Sequence, residues 1–197
     1  MRLVLASRSP QRRALLAELG VRFEIREPAF EEIEEGEPRA VALANAIGKA
    51  RSVTRGDDEA VLGVDTVVAL DGALHGKPAD EAHARATLEA LSGRTHTVYS
   101  AVALLRGDER TAVAATAVTF RALDAATIDR YLATGEWRGR AGGYAIQGAG
   151  AALAVALDGD RTNVIGLPLA ALLSLWPELA RECNNAVSAP GAVRLQH

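Results

Sequence analysis

The chain has 197 residues and a formal net charge of −3, and 49% of its residues are hydrophobic. This length suits one large domain or two closely joined lobes. The nearly balanced charge argues against a nucleic-acid or acidic-membrane binder. No apolar run is long enough to span a membrane, and strand-like sequence begins at once, without a signal peptide. Since the single cysteine, Cys183, has no internal partner, we expect a soluble cytoplasmic protein.

A strand over residues 2–6 and a helix after Ser9 are the first predicted elements. Ser9 suits the N-cap, Pro10 the first helical position and Gly20 the position just after the helix. These signals place the start of the helix directly after the strand.

Paired arginines, Arg12 and Arg13, fall in the first turn of this helix. The helix dipole favours negative charge there, so two arginines do not stabilise the helix itself. Together with Ser7 they are typical of a phosphate-binding turn. The alternative is that both are solvated and pair with surface acids.

An acidic segment between Glu27 and Glu37 follows a predicted strand over residues 21–25. Such runs are usually solvated loops. Within this one we single out Glu31 and Glu32 as carboxylates that could face a metal ion.

The next predicted helix extends from Pro38 to about Thr54 and is rich in alanine. Its expected buried face carries Val41, Ala44 and Ile47. Lys49 lies late in this helix, where a cation suits the dipole in any case.

Asp65 lies in the middle of a predicted buried strand, residues 62–68, whose other members are mostly Val and Leu. An ionised carboxylate there is costly unless it is paired, ligated or protonated. It is either a structural group bonded to the backbone or Thr66, or a functional carboxylate.

The middle of the chain alternates turns, helices and strands. Asp71 and Gly72 predict a hairpin turn, after which Lys77 lies in a rigid Gly-Lys-Pro bend. The further predicted elements are a helix capped by Asp80, strands over 95–105 and 110–120, and a helix capped by Asp124.

A glycine-rich stretch over residues 139–150 brings backbone close to another segment or a ligand. Gln147 within it either recognises a base edge through its amide or satisfies a turn. The next predicted elements are strands near 151–157 and 161–165 and a helix from Pro168. The composition of residues 181–197 predicts a disordered tail.

Five motifs in order resemble the Maf family of nucleoside triphosphate pyrophosphatases. They are the stretch from Ser7 to Arg13, Gly63-Val64-Asp65-Thr66, Gly76-Lys77-Pro78, the stretch from Leu91 to His96, and Gly143-Tyr144-Ala145-Ile146-Gln147-Gly148. The resemblance covers about residues 2–180. It implies a single α/β domain over 1–180, with an elongated mixed β-sheet flanked by helices and two lobes around a central cleft.

The resemblance also implies hydrolysis of a nucleoside triphosphate to the monophosphate and pyrophosphate with Mg²⁺ or Mn²⁺. By position, Asp65 matches the proton acceptor. The implied phosphate-binding residues are Ser7, Arg12, Arg13, Lys49 and Lys77. The implied specificity residues are Arg12, Thr66 and Gln147, and the implied metal ligands are Asp65 and Glu32. Gln11 and Arg140 depart from the family pattern.

The Tyr-x-Ile-Gln-Gly pattern resembles that of the family branch that acts on dTTP and UTP. The neutral amide of the glutamine suits the donor and acceptor edge of a pyrimidine, which agrees with this preference. The alternatives are a pyrophosphatase for inosine, xanthosine or 7-methylguanosine triphosphate, and a nucleotide-binding regulator of cell division with little catalysis. The resemblance further implies a homodimer.

Overall fold

The structure, a computed structural model, describes residues 1–180. The predicted tail at 181–197, with Cys183, lies outside the described residues. The strands are β1 (Arg2–Ala6), β2 (Phe23–Arg26), β3 (Glu59–Leu70), β4 (Ala73–His75), β5 (Thr95–Arg106), β6 (Asp108–Phe120) and β7 (Ala154–Asp158). The helices are α1 (Pro10–Glu18), α2 (Pro38–Arg51), α3 (Glu81–Leu91), α4 (Ala125–Ala133), α5 (Arg161–Ile165) and α6 (Leu169–Leu175).

All seven strands form one mixed sheet in the order β2-β1-β3-β5-β6-β7, with β4 paired to β3. β1 runs parallel to β2 and β3, whereas β3, β5, β6 and β7 pair antiparallel in turn. The predicted fold class, an elongated mixed sheet flanked by helices, is confirmed.

Two apolar clusters occupy opposite ends of the long central strands. One contains Leu62 and Val64 of β3 and packs under α1 and α6. The other contains Val68 and Leu70 of the same strand and packs under α3 and α4. Asp65 and Thr66 therefore lie on the short part of β3 between the two clusters, where a cleft opens.

Helix α2 packs against β3 at Gly63. A Cβ atom on Gly63 would lie 2.1 Å from the carbonyl oxygen of Ala46, so only glycine allows this approach. The predicted buried face of α2 was partly wrong, because Ala44 and Ile47 are only half-buried. The buried face instead consists of Pro38, Val41, Ala42, Asn45, Ala46, Lys49 and Ala50.

Residues 161–165 form helix α5, so the strand predicted there was wrong. The carboxylate of Asp160 accepts hydrogen bonds from the backbone N–H and the hydroxyl of Thr162, both at 2.7 Å. This N-cap starts a helical turn and outweighs the strand preference of the β-branched residues. Gly166, at φ 123°, ends the helix.

Candidate active site

The cleft between the two apolar clusters has a volume of about 340 Å³, within the range of small-molecule sites. Its walls come from the turn at 7–12, the acidic segment, α2, β3, the loop at 139–147 and the C-terminal end of α5 at 164–166. The predicted site residues that line it are Ser7, Arg12, Glu32, Lys49, Asp65, Thr66, Lys77 and Gln147. Arg13 and Glu31 are not among the lining residues.

The turn before α1 forms as its sequence predicts. Ser9 is the N-cap, and its hydroxyl accepts from the backbone N–H of Arg12 at 3.4 Å. The hydroxyl of Ser7 accepts from the backbone N–H of Ser9 at 3.1 Å. The turn therefore brings the side chains of Ser7 and Arg12 to one wall of the cleft, while the next residue, Arg13, does not line it.

Charged side chains alternate in sign across the cleft floor. Lys49 donates to Asp65 Oδ1 at 2.5 Å, and its Nζ lies 2.6 Å from Glu32 Oε1. Lys77 in turn donates to Glu32 Oε2 at 2.9 Å. Asp65 and Lys49 are 5% exposed, whereas the Lys77 side chain is 53% exposed. Lys49 is thus a buried cation shared by two carboxylates, and Lys77 is a surface cation at the same site.

The two lysines also keep Glu32 ionised. Burial raises the pKa of this carboxyl group, but the hydrogen bonds and positive charges of Lys49 and Lys77 outweigh that effect and lower its pKa to about 2. Glu32 is therefore a carboxylate at any physiological pH.

Arg12 crosses the cleft wall and makes three hydrogen bonds. Its Nε donates to the carbonyl oxygen of Gly166 at 2.8 Å, its Nη1 to Ser7 Oγ at 3.3 Å and its Nη2 to Thr66 Oγ1 at 3.1 Å. Burial lowers the pKa of the guanidinium, and the negative charges of Asp65 and Glu32 act in the opposite direction. Arg12 and Thr66, both predicted as specificity residues, are in direct contact.

A buried polar network continues behind Thr66. Thr66 Oγ1 and Ser100 Oγ lie 2.8 Å apart, and Ser100 donates to the carbonyl oxygen of Asn163 at 2.9 Å. Neither Ser100 nor Asn163 is exposed. Sequence reasoning missed both, because only the cross-strand register of β3 and β5 brings Ser100 opposite Thr66.

Sequence reasoning also missed Asn45, which lies one helical turn before Lys49. Its amide Nδ2 donates to Asp65 Oδ2 at 3.2 Å, so α2 supplies a partner for each oxygen of that carboxylate. The available signal was the i, i+4 spacing of Asn45 and Lys49, which places both side chains on one face of the helix. The prediction instead assigned the buried face to Val41, Ala44 and Ile47.

The glycine-rich loop closes the opposite side of the cleft. Gly142 and Gly143 adopt φ angles of 69° and 65°, which favour glycine. Tyr144 is anchored by a 2.8 Å hydrogen bond between its hydroxyl and His96 Nε2. Gln147 then lies exposed at the rim of the cleft, with its amide free to meet a ligand.

The donor set suits a magnesium-type ion. In the described residues 1–180, no group of three or more His, Cys, Asp or Glu side chains is placed to hold a metal. Mg²⁺, however, typically binds one or two protein carboxylates and takes its remaining ligands from substrate phosphates and water. Asp65 and Glu32, both facing the cleft and both contacting Lys49, fit that requirement.

Comparison with known proteins places the chain in a family. The family profile described as Maf-like protein matches residues 2–179, so the chain belongs to the Maf family. A relative from Moorella thermoacetica, named dTTP/UTP pyrophosphatase, is 49% identical over 174 residues, which are 85% of this chain and 90% of the relative. One of the same name from Gloeobacter violaceus is 45% identical over 185 residues, covering 92% and 97%.

Among solved structures, a HAM1 protein from Coxiella burnetii superposes with a TM-score of 0.45 at 22% identity. The superposition covers 61% of this chain and 73% of that protein. No helix in residues 1–180 is long and apolar enough to cross a membrane.

Proposed function

We propose that the protein hydrolyses nucleoside triphosphates to the monophosphate and pyrophosphate, with dTTP and UTP as preferred substrates. The observation that carries the proposal is the buried carboxylate of Asp65 in a cleft that also presents Arg12, Lys49 and Lys77. Three cations suit the charge of a triphosphate, and a buried carboxylate beside them suits the activation of water.

In this reaction Asp65 accepts a proton from a water molecule. Each carboxylate oxygen of Asp65 receives one hydrogen bond, from Lys49 or from Asn45, so each retains a lone pair. The water oxygen forms a bond to the α-phosphorus, and the bond from that phosphorus to the bridging oxygen of the β-phosphate breaks. The pyrophosphate leaves with the electron pair of the broken bond, and Lys49 and Lys77 stabilise its charge.

A divalent cation such as Mg²⁺ or Mn²⁺ would be held by Asp65 and Glu32. When bound, it neutralises charge on the phosphate oxygens. Glu32 is ionised near neutral pH, so it needs no proton loss before it binds the ion.

The pyrimidine preference is supported by the names of the relatives and by the neutral amide of Gln147 at the rim of the cleft. Gln147 presents both an amide donor and an amide acceptor, which match the mixed edge of uracil or thymine. Arg12 Nη2 donates to Thr66 Oγ1 at 3.1 Å, and both side chains would contact the same substrate. A homodimer in the cytoplasm that binds no nucleic acid stays a prediction.

Pyrophosphate release with Mg²⁺, measured across canonical and modified nucleoside triphosphates, tests the proposal. We expect dTTP and UTP to give the highest kcat/KM, and Asp65→Asn to lower kcat by about 10²-fold or more. The matched control is Asp71→Asn, an exposed carboxylate in the turn that follows the same strand, which should leave kcat unchanged. A best substrate that is a purine or 7-methylguanosine triphosphate would contradict the preference. Normal turnover by Asp65→Asn would contradict the mechanism.

A further inference from the structure

Asn45 connects the two carboxylates of the cleft. It is 2% exposed on the face of α2 that packs against β3. Its Oδ1 accepts from the backbone N–H of Ile33 at 2.8 Å, and its Nδ2 donates to the carbonyl oxygen of Ile33 at 3.0 Å. The same Nδ2 donates to Asp65 Oδ2 at 3.2 Å. One side chain therefore contacts both Asp65 and the residue that follows Glu32.

The hydrogen bonds of Asn45 to the backbone of Ile33 do not draw the side chain of Ile33 into the core. Ile33 is 44% exposed, so its side chain adds little to the core. The other buried positions of α2 near Asn45 are filled by small apolar residues, such as Ala42 and Ala46. A buried amide in that layer costs free energy unless its hydrogen bonds are made, and here they are made to the site.

Lys49 repeats the arrangement of Asn45 one helical turn later. Lys49 binds Asp65 Oδ1 and the side chain of Glu32, whereas Asn45 binds Asp65 Oδ2 and the backbone of Ile33. Helix α2 thus holds the strand and the acidic segment at two points each. Lys49 carries a positive charge for which the phosphates of a substrate would compete, whereas Asn45 is neutral.

A further contact fixes the acidic segment on the same helix. The Phe30 ring covers Gly48, where an added Cβ would lie 2.1 Å from the ring. Residues 27–34 form no helix or strand, so side-chain contacts determine where Glu32 lies. Phe30 and Asn45 make uncharged contacts of this kind, which remain when Lys49 turns toward a substrate.

We propose that Asn45 is a positioning residue that holds Asp65 and the Glu32-bearing segment in register, so that both carboxylates keep their places when the phosphates engage Lys49. The expected loss of catalytic rate rests on the proposed pyrophosphatase activity. The expected displacement of the Glu32-bearing segment does not. A misplacement of about 1 Å in such a site can cost about 10²-fold in rate.

The test compares Asn45→Ala with Val61→Ala, a truncation in the same layer between α2 and β3 that does not contact the cleft. We expect Asn45→Ala to speed hydrogen exchange of the Ile33 amide, followed by NMR, by about tenfold or more, because that amide loses its acceptor. We expect kcat for the best nucleotide to fall by about tenfold or more, with a smaller change in KM. Val61→Ala should lower the unfolding temperature without either effect.

A second variant, Asn45→Asp, guards against a failure of the alanine variant to fold. It keeps an oxygen for the Ile33 N–H, but it removes the amide donor to Asp65 and to the Ile33 carbonyl oxygen and places a second carboxyl group beside Asp65. We therefore expect Ile33 exchange near the parent rate with a lowered kcat. Parent-like Ile33 exchange and kcat in Asn45→Ala would overturn the proposal. So would losses of activity that follow lost stability equally in Asn45→Ala and Val61→Ala. If the parent protein releases no pyrophosphate from any nucleotide, the proposed function fails, and Ile33 exchange alone decides the role of Asn45.

Discussion

Lys49 should stabilise the folded protein more than Lys77 does, because removal of Lys49 leaves Asp65 buried without its ion-pair partner. Asp65 is 5% exposed and lies 2.5 Å from Lys49 Nζ. Breaking a buried ion pair by removing one partner typically costs about 3–5 kcal/mol. We therefore expect Lys49→Met to lower the free energy of unfolding by about 3 kcal/mol, toward the lower end because Asn45 still bonds Asp65.

The second substitution, Asp65→Asn, should cost less than Lys49→Met. Lys49 keeps Glu32 as a partner at 2.6 Å when the Asp65 charge is removed. The loss is then closer to that of an ordinary hydrogen bond, about 1 kcal/mol. The double variant has no unpaired charge at position 65, so it should be more stable than Lys49→Met alone, by about 1–2 kcal/mol.

Urea unfolding followed by circular dichroism near neutral pH measures all three variants, with linear extrapolation to water. Lys77→Met is the matched control. Lys77 also pairs with Glu32, but its side chain is 53% exposed, so its removal should cost at most about 1 kcal/mol. Equal costs for Lys49→Met and Lys77→Met would refute the reasoning. Strict additivity of Lys49→Met and Asp65→Asn would refute it as well.

Two further outcomes concern Arg12 and Glu32. Arg12→Lys should raise KM for the best nucleotide by about tenfold, since a compact ammonium group cannot bond Gly166, Ser7 and Thr66 at once. An unchanged KM in steady-state kinetics would show that Arg12 does not contact the substrate. Burial raises the pKa of Glu32, but its bonds to Lys49 and Lys77 prevail and lower it from 4.5 to about 2. Above the pKa that Glu32 has in the unfolded chain, its ionised form stabilises the folded protein, and this stability is lost as the pH falls toward 2. The unfolding temperature of Glu32→Gln should therefore depend less on pH in that acid range than the unfolding temperature of the parent.

Local signals in the sequence were sufficient for most of the elements. The N-caps Ser9, Asp80 and Asp124 and the turn at Asp71 all lie where predicted, because each depends on neighbouring residues alone. Helix α5 was missed because its signal, the cap at Asp160, competed with a β-branched stretch.

The contacts of the site depend on packing between distant segments. The sequence indicated that Asp65 needs a partner, but not that Lys49 and Asn45 supply it, because that depends on how closely α2 approaches Gly63. Ser100 reaches Thr66 only through the β3–β5 register, and no tight turn joins these strands to fix it. The family resemblance, rather than residue patterns, singled out Lys49.

The long central strands limit how the cleft can change width. β3, β5 and β6 run without interruption beneath both apolar clusters, and nine residue pairs join β3 to β5 alone. A hinge between the two halves would have to break ladder hydrogen bonds in several strands at once. The floor of the cleft is therefore stiff, and admission of a nucleotide or release of pyrophosphate depends on the segments at the rim: the acidic segment over α2 and the loop that carries Gln147.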